Sequence, residues 1–185
     1  MSNYVLGCGS TVDLNEQHLK ERNVDVLPFH FRLGEKDYDD DFGKSIAYKD
    51  LYAEMAKGTP AKTSQTTAAE YEEKFAPVLE KGLDVVHVTL SSGISGSYGS
   101  CLIAKKTLEE KFPGRKVYVI DSLCASSGYG MLIDLAADYR DEGHSAAELA
   151  DYIEKTKLRI HHLFYSMDLS AYVRGGRVSQ TAGII

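Results

Sequence analysis

The chain has 185 residues, 43% of them hydrophobic and 26% charged, with a formal net charge of -6. This is the composition of a globular chain able to bury a core, and its scattered Lys and Arg residues form no basic stripe for a nucleic acid. No apolar run reaches bilayer-spanning length, so no integral membrane segment is expected.

The cysteines, Cys8, Cys101 and Cys124, are odd in number and form no CxxC pair. A disulfide framework is therefore not expected, and a reducing cytoplasm fits best. Leu6-Gly7-Cys8 has the outline of a lipoprotein cleavage box. The residues before it lack a positive start and a long apolar region, so lipidation is not expected.

In chain order, Tyr4 to Gly7 reads as a short buried strand, followed by a loop at Gly9, Ser10 and Thr11. Asp25 to Phe31 reads as a second strand and the acidic run Asp37 to Asp41 as an exposed loop. Tyr48, Leu51, Tyr52 and Met55 recur at helical spacing and predict a core-facing helix, stopped by Gly58 and Pro60. Thr67 and Glu70 form a capping-box pattern opening a helix with Tyr71, Phe75, Val78 and Leu79 on one side.

Asp84 to Leu90 is nearly continuous in apolar and β-branched residues, as in a strand covered on both faces. It opens into Ser91 to Ser97, a loop of little but serine and glycine. Leu102 to Lys111 reads as helix and Val117 to Ile120 as another buried strand, closed by Asp121 and Ser122. A helix follows to about Tyr139. Ser145 and Glu148 form a second capping box, with Leu149, Tyr152 and Ile153 inward. His161 to Met167 reads as a further strand, and Leu169 to Val173 as a short helical stretch ended by Gly175 and Gly176.

Strands alternating with helices predict an α/β fold with a mostly parallel sheet, helices on both faces and right-handed crossovers. Ligands of such sheets sit beyond the carboxyl ends of the strands. Ser10-Thr11, the Ser91 to Ser97 loop and Asp121-Ser122 all fall there.

A glycine-rich passage from strand to helix can turn backbone N–H groups and hydroxyls toward an anion. Lys62-Thr63-Ser64-Gln65 is a second hydroxyl cluster at a helix entrance, and two such clusters facing one spot would hold a carboxylate or phosphate. Capping and turn geometry account for the same residue types equally well. Gly93-x-Ser95-x-Ser97 lacks the last glycine of a nucleophile elbow. His30, His87, His144, His161 and His162 stand at no diagnostic spacing; His87 alternates within a strand and reads as structural. His161 and His162 would point to opposite sides of a strand, a poor geometry for a metal. No metal site, P-loop or dinucleotide fingerprint is present.

In order, these segments resemble the DegV family of bacterial fatty-acid-binding proteins. The resemblance is carried by Ser10-Thr11-x-Asp13-Leu14, Lys62-Thr63-Ser64-Gln65 and Ser91-Ser92-x-x-Ser95-Gly96. Val119-Ile120-Asp121-Ser122 with Ser127-Gly128-x-Gly130, and Leu169-x-x-Tyr172-x-x-Gly175-Gly176-Arg177-Val178-Ser179, complete it. Gly9 departs from the family's usual aspartate, and Thr66 from its usual proline. The first is expected to alter loop hydrogen bonding and the second, near a helix start, to matter little.

The resemblance implies that Thr63 and Ser95 hold the carboxylate of a long-chain fatty acid. Ser64, Ser91, Ser92, Gly96, Ser10, Thr11, Asp121 and Ser122 would support the loops. The acyl tail would lie in an apolar tunnel between two domains or within the sheet layers. It implies a carrier rather than an enzyme, with no catalytic residue and no cofactor. Such a carrier presents the acid to a fatty acid kinase, which makes acyl-phosphate for phospholipid synthesis. Arg174 and Arg177 are surface candidates for kinase contact, and equally a helix end beside a C-capping glycine pair.

Residues 1–157 are expected to form the fatty-acid-binding α/β domain. Residues 158–185 would begin a second α/β domain that is largely missing, since the family pattern continues beyond Ile185. Each buried methylene is worth about 0.8 kcal/mol, so a long tail supplies on the order of ten kcal/mol before ordering costs. A buried carboxylate must find donors, and two hydroxyls with helix N-termini can supply them. A second reading makes Ser95 or Ser92 the nucleophile of an acyl hydrolase or transferase, but lacks an identifiable base. A third is a truncated relic that binds no lipid and exposes an apolar face.

Overall fold

The computed structural model describes residues 3–167 and 169–179. Four parallel strands form the main sheet: β1 (Tyr4–Gly9), β2 (Val24–Leu27), β6 (Asp84–Thr89) and β7 (Val117–Asp121), in the order β2-β1-β6-β7. Three short strands, β3 (His30–Leu33), β4 (Lys36–Asp39) and β5 (Ala61–Ser64), form a separate antiparallel sheet ordered β4-β3-β5. The longer helices are α1 (Glu16–Glu21), α2 (Tyr48–Ala56), α3 (Ala68–Glu80), α4 (Ser97–Lys111), α5 (Ser126–Asp141) and α6 (Ala146–Thr156). A short helix, α7 (Ser170–Arg174), and 3-10 turns at Ser10–Val12 and Lys157–Arg159 complete them.

Strand alternation divides the main sheet between two cores. Leu6, Cys8, Val86, Val88 and Ile120 face Leu19 of α1, Leu132, Ile133 and Ala136 of α5, and Leu149 and Ile153 of α6. Leu27, Val85 and Val117 face Tyr71, Phe75 and Leu79 of α3 and Cys101, Ala104 and Leu108 of α4. The expected mostly parallel sheet with helices on both faces is thus the fold observed. The chain leaves β1 toward β2 on one side and returns to add β6 on the other. The topological switch point lies between β1 and β6, which opens a crevice at their carboxyl ends.

Both capping boxes form: Thr67 with Glu70 opens α3, and Ser145 with Glu148 opens α6. Other expectations need correction. The strand read from Asp25 to Phe31 is two strands in different sheets, because Pro28 has no N–H to extend a ladder. The acidic run is largely β4, paired with β3. Its acidic side chains are held by ion pairs, Asp37 with Arg32 and Asp39 with His30, instead of floating in a loop.

The helix predicted from Tyr48 to Met55 forms, but its apolar stripe is not a core face: Tyr48 is 53% and Tyr52 65% exposed. The helix after the serine loop begins at Ser97, earlier than Leu102, because the hydroxyl-rich residues themselves make its first turn. His161 to Met167 forms no strand; it meets no ladder among the described residues, and Leu163, Phe164, Tyr165 and Met167 are exposed.

Candidate functional site

The serine loop leaves β6 at the switch point and is held mainly by its own atoms. The Ser91 carbonyl accepts the N–H groups of Ile94 and Ser95, each at 3.1 Å, and the Ser91 hydroxyl accepts from Gly93 N at 3.2 Å. Ser91 N in turn donates to the Cys124 carbonyl at 3.1 Å. Ser92 N donates to Asp121 Oδ1 at 3.0 Å, and Leu123 N donates to the same oxygen at 3.1 Å. The buried Ser122 hydroxyl accepts from Cys124 N at 3.0 Å. Asp121 and the Cys124 carbonyl therefore fasten the loop after β7 to the serine loop, while Ser122 shapes the β7 loop itself. These N–H groups point inward, so the expected convergence of loop N–H groups on an anion does not occur at residues 92–95.

Ser95 is half-buried, with its Oγ 2.7 Å from Ser97 Oγ and accepting from Ser97 N at 3.2 Å. Ser97 is fully buried at the entrance of α4. Near it Tyr71 of α3 is buried, and burial raises its pKa while the neighbouring hydroxyls of Thr66 and Ser97 lower it. Thr66 Oγ1 donates to the Pro28 carbonyl at 3.3 Å. Ser95 is thus bonded to the buried Ser97 and borders a cluster of buried hydroxyls with Tyr71 and Thr66. The sequence reading missed Ser97, Tyr71 and Thr66 as members of it. It also undervalued the departure at Thr66, where a proline could make no such bond. A polar group inside an apolar helix face, at Tyr71, is the signal that could have found the cluster.

Thr63 and Ser64 lie on β5, a strand rather than a helix entrance, and both are exposed. Thr63 pairs across the ladder with Phe31, which pairs with Tyr38 on its other side. The Phe31 and Tyr38 rings stack at 5.3 Å. Thr63, Phe31, Tyr38 and Lys62 line an open hollow on the antiparallel sheet. Ser95 does not line it. The two segments meet one step further along the chain, where the Gln65 side chain lies against Gly96 and donates to Ser100 Oγ at 3.0 Å.

Ser10 is buried and its Oγ accepts from Phe29 N at 3.0 Å, so it serves the turn after Pro28. Thr11 Oγ1 is shielded from solvent and has no hydrogen-bond partner among the described residues. The Gly9 departure has a steric reason: a Cβ there would stand 2.8 Å from Phe29 Cε2. Gly9 N donates to the Tyr129 hydroxyl at 2.9 Å. Arg174 is exposed on α7, while Arg177 Nε donates to the Ile94 carbonyl at 3.3 Å, beside the serine loop.

The histidines are placed elsewhere. His87 is buried against Tyr71 and Phe75, and burial, with the Lys74 charge, lowers its pKa to about 3. His30 bridges Asp39 at 2.7 Å and Glu70 at 2.6 Å. Burial pulls its pKa down, but the bonds to Asp39 and Glu70 outweigh this and leave it raised. His162 Nε2 accepts from Ala125 N at the start of α5. Among the described residues, no imidazole bonds Ser92 or Ser95, and no group of three His, Cys, Asp or Glu side chains is placed to hold a metal ion.

The parallel sheet with its helices, the appended antiparallel sheet and the hydroxyl-lined switch point define an α/β domain with a polar crevice at its carboxyl edge. The chain belongs to the DegV family: the family model, described as "Uncharacterised protein, DegV family", matches residues 8–185. A DegV domain-containing protein of Clostridium perfringens is 29% identical over the whole chain, which spans 64% of that relative's length. A solved DegV family protein from Thermus thermophilus, described for fatty acid binding, is 27% identical with a TM-score of 0.80; the match covers 94% of this chain and 60% of that one. A stearic acid-binding protein of Eubacterium ventriosum is 28% identical, TM-score 0.74, with 82% and 52% covered. A fatty acid kinase B3 protein of Streptococcus pneumoniae, solved with linoleic acid, shares the fold at 22% identity and TM-score 0.70, with 85% and 55% covered. No helix among the described residues is long and apolar enough to cross a membrane.

Proposed function

We propose that this chain binds a long-chain fatty acid, with its carboxylate held by Thr63 and Ser95, and presents it to a fatty acid kinase. The kinase would make the acyl-phosphate used in phospholipid synthesis. The observation carrying this reading is the position of Ser95 at the switch point, bonded to the fully buried Ser97 hydroxyl.

Ser95 Oγ already accepts from Ser97 N. With Ser97 Oγ as donor in the hydroxyl pair, the Ser95 O–H is left to donate outward. A carboxylate has only acceptors, so a free O–H is the group it needs. Thr63 supplies a second hydroxyl from the neighbouring sheet, and the stacked Phe31 and Tyr38 rings beside it offer apolar surface for the first methylenes. The names of the Thermus and Eubacterium relatives support the same ligand class.

The protein acts as a carrier, not an enzyme, and needs no cofactor. The partner of the Ser95 hydroxyl is another hydroxyl rather than a base, which gives an acyl hydrolase no activated nucleophile. Arg177, bonded beside the serine loop, and Arg174 are the residues proposed to meet the kinase. The protein works in the cytoplasm, in keeping with three buried, unbridged thiols. Residues 158–185 open a second domain. The 3-10 turn at Lys157–Arg159 buries none of its residues, Ile160 packs on the core, and beyond it Leu163, Phe164, Tyr165 and Met167 carry apolar side chains in solvent. Positions 180–185 of that unit lie outside the described residues.

The test is organic extraction of the purified chain followed by mass spectrometry. A stoichiometric long-chain fatty acid is expected. An empty extract, repeated after incubation with free fatty acids, would overturn the assignment.

A further inference from the structure

We infer that Gln65 is a positioning residue: its side-chain amide clasps the first turn of α4 and fixes the separation between Thr63 and Ser95. The inference rests on the fatty-acid reading for its purpose, but not for its geometry.

Gly96 has φ -80 and ψ 1, a conformation open to any residue, so backbone freedom does not explain a glycine there. Space does. A Cβ on Gly96 would stand 2.0 Å from Gln65 Oε1, 2.9 Å from its Cδ and 3.0 Å from its Nε2. The whole amide lies over the glycine. The same amide donates from Nε2 to Ser100 Oγ at 3.0 Å. The Gly96 carbonyl accepts from Ser100 N at 3.1 Å, so Gln65 touches both ends of one helical turn. Ser95 is bonded directly to the start of that turn.

On the other side, Gln65 follows the last residue of β5, two positions after Thr63. All four β5 residues are exposed, so the strand is not held to the main sheet by burial. Beyond its ladder with β3, its end is tied by the exposed Gln65 side chain and by the next residue, Thr66, which is 1% exposed and bonded to the Pro28 carbonyl. Two hydroxyls can share one carboxylate only at a fixed spacing, and the clasp sets that spacing before ligand arrives. Pre-organisation of this kind raises affinity by removing an ordering cost.

The test uses Gln65→Ala, Gly96→Ala and the double variant in the 185-residue chain. Spin labels at Lys62→Cys and Ile94→Cys report the spacing of the two segments, since the native cysteines are buried. A narrow distance distribution is expected with Gln65 and Gly96 present, and a broadened or shifted one in either single variant. Palmitate and hexadecanol titrations then separate head-group positioning from general damage. The loss of one hydrogen-bonded clasp should weaken palmitate about 10-fold and hexadecanol less than about 2-fold. Gly96→Ala should add less than about 2-fold once Gln65 is Ala, because the steric partner is gone.

Unchanged distance distributions would overturn the clasp. Equal loss of palmitate and hexadecanol would reduce Gln65 to a structural tie and overturn its positioning role. A parent chain that binds neither ligand would count against the fatty-acid reading alone, with the spin-label distances still deciding the clasp.

Discussion

The Ser95 hydroxyl stands 2.7 Å from that of Ser97, and Ser97 is completely buried. Ser95 therefore joins an internal network to the crevice. Replacing Thr63 by Val and Ser95 by Ala removes both proposed carboxylate donors. Each hydrogen bond to a charged group is worth about 1.5–3 kcal/mol. Fatty-acid affinity in calorimetric titration should fall at least about 100-fold. The fold should survive in far-UV circular dichroism, with about 1 kcal/mol lost because Ser97 N loses its acceptor. Affinity unchanged in the double variant would remove both residues from the site.

Tyr129 locks the strands that frame the crevice. Its hydroxyl accepts from Gly9 N at 2.9 Å and donates to the Val88 carbonyl, joining α5 to β1 and β6. Tyr129→Phe keeps the ring and strips both partners in a fully buried place. Urea unfolding should show a loss of about 2–4 kcal/mol, the cost of an orphaned donor and acceptor. A loss under about 0.5 kcal/mol would mean that solvent reaches both groups.

His87 governs part of the acid response. Both ring nitrogens are shielded and without hydrogen-bond partners among the described residues, and burial lowers the pKa from 6.5 to about 3. The folded state therefore keeps His87 neutral where the unfolded chain is protonated. Stability from this group is complete above pH 6.5 and falls as pH drops toward 3. At 1.36 kcal/mol per unit, the full loss is on the order of 5 kcal/mol. His87→Leu should flatten this limb in a pH series of urea unfolding curves. His30 acts in the opposite sense. Its raised pKa gives stability that is full below the unfolded value and lost as pH rises through the folded one. Its partial exposure makes that contribution the smaller.

Gly9 is required by the ring of Phe29. Gly9→Ala would bring a methyl to 2.8 Å from Phe29 Cε2 and should cost about 1–3 kcal/mol in thermal or urea unfolding. Phe29→Leu in the same chain should recover part of that loss. If the two substitutions add independently, the contact is not the reason for the glycine.

The main sheet was legible because β1, β6 and β7 are short, apolar and followed by turn residues, and because the capping boxes mark α3 and α6 by chemistry alone. The antiparallel sheet was not legible. Its strands are exposed on much of both faces, so Lys36–Asp39 and Ala61–Ser64 carry no alternation to read. Pro28 was the available signal that Asp25 to Phe31 is not one strand. At the site, Ser95 and Asp121 could be placed from strand ends, but the grouping of the buried Ser97, Tyr71 and Thr66 depends on how α3 meets α4. No local spacing encodes that. The stripe on α2 shows the converse: periodicity announces a helix without saying what covers it.

The most direct test of the carboxylate site is NMR of carboxyl-¹³C-labelled palmitate mixed with the chain and with its Thr63→Val, Ser95→Ala variant. The account predicts one bound carboxyl resonance, displaced from free palmitate and still ionised below the free acid's titration midpoint, because hydroxyl donors favour the charged form. That resonance should vanish in the variant. No bound resonance with the parent chain, or the same resonance in both, would contradict the site.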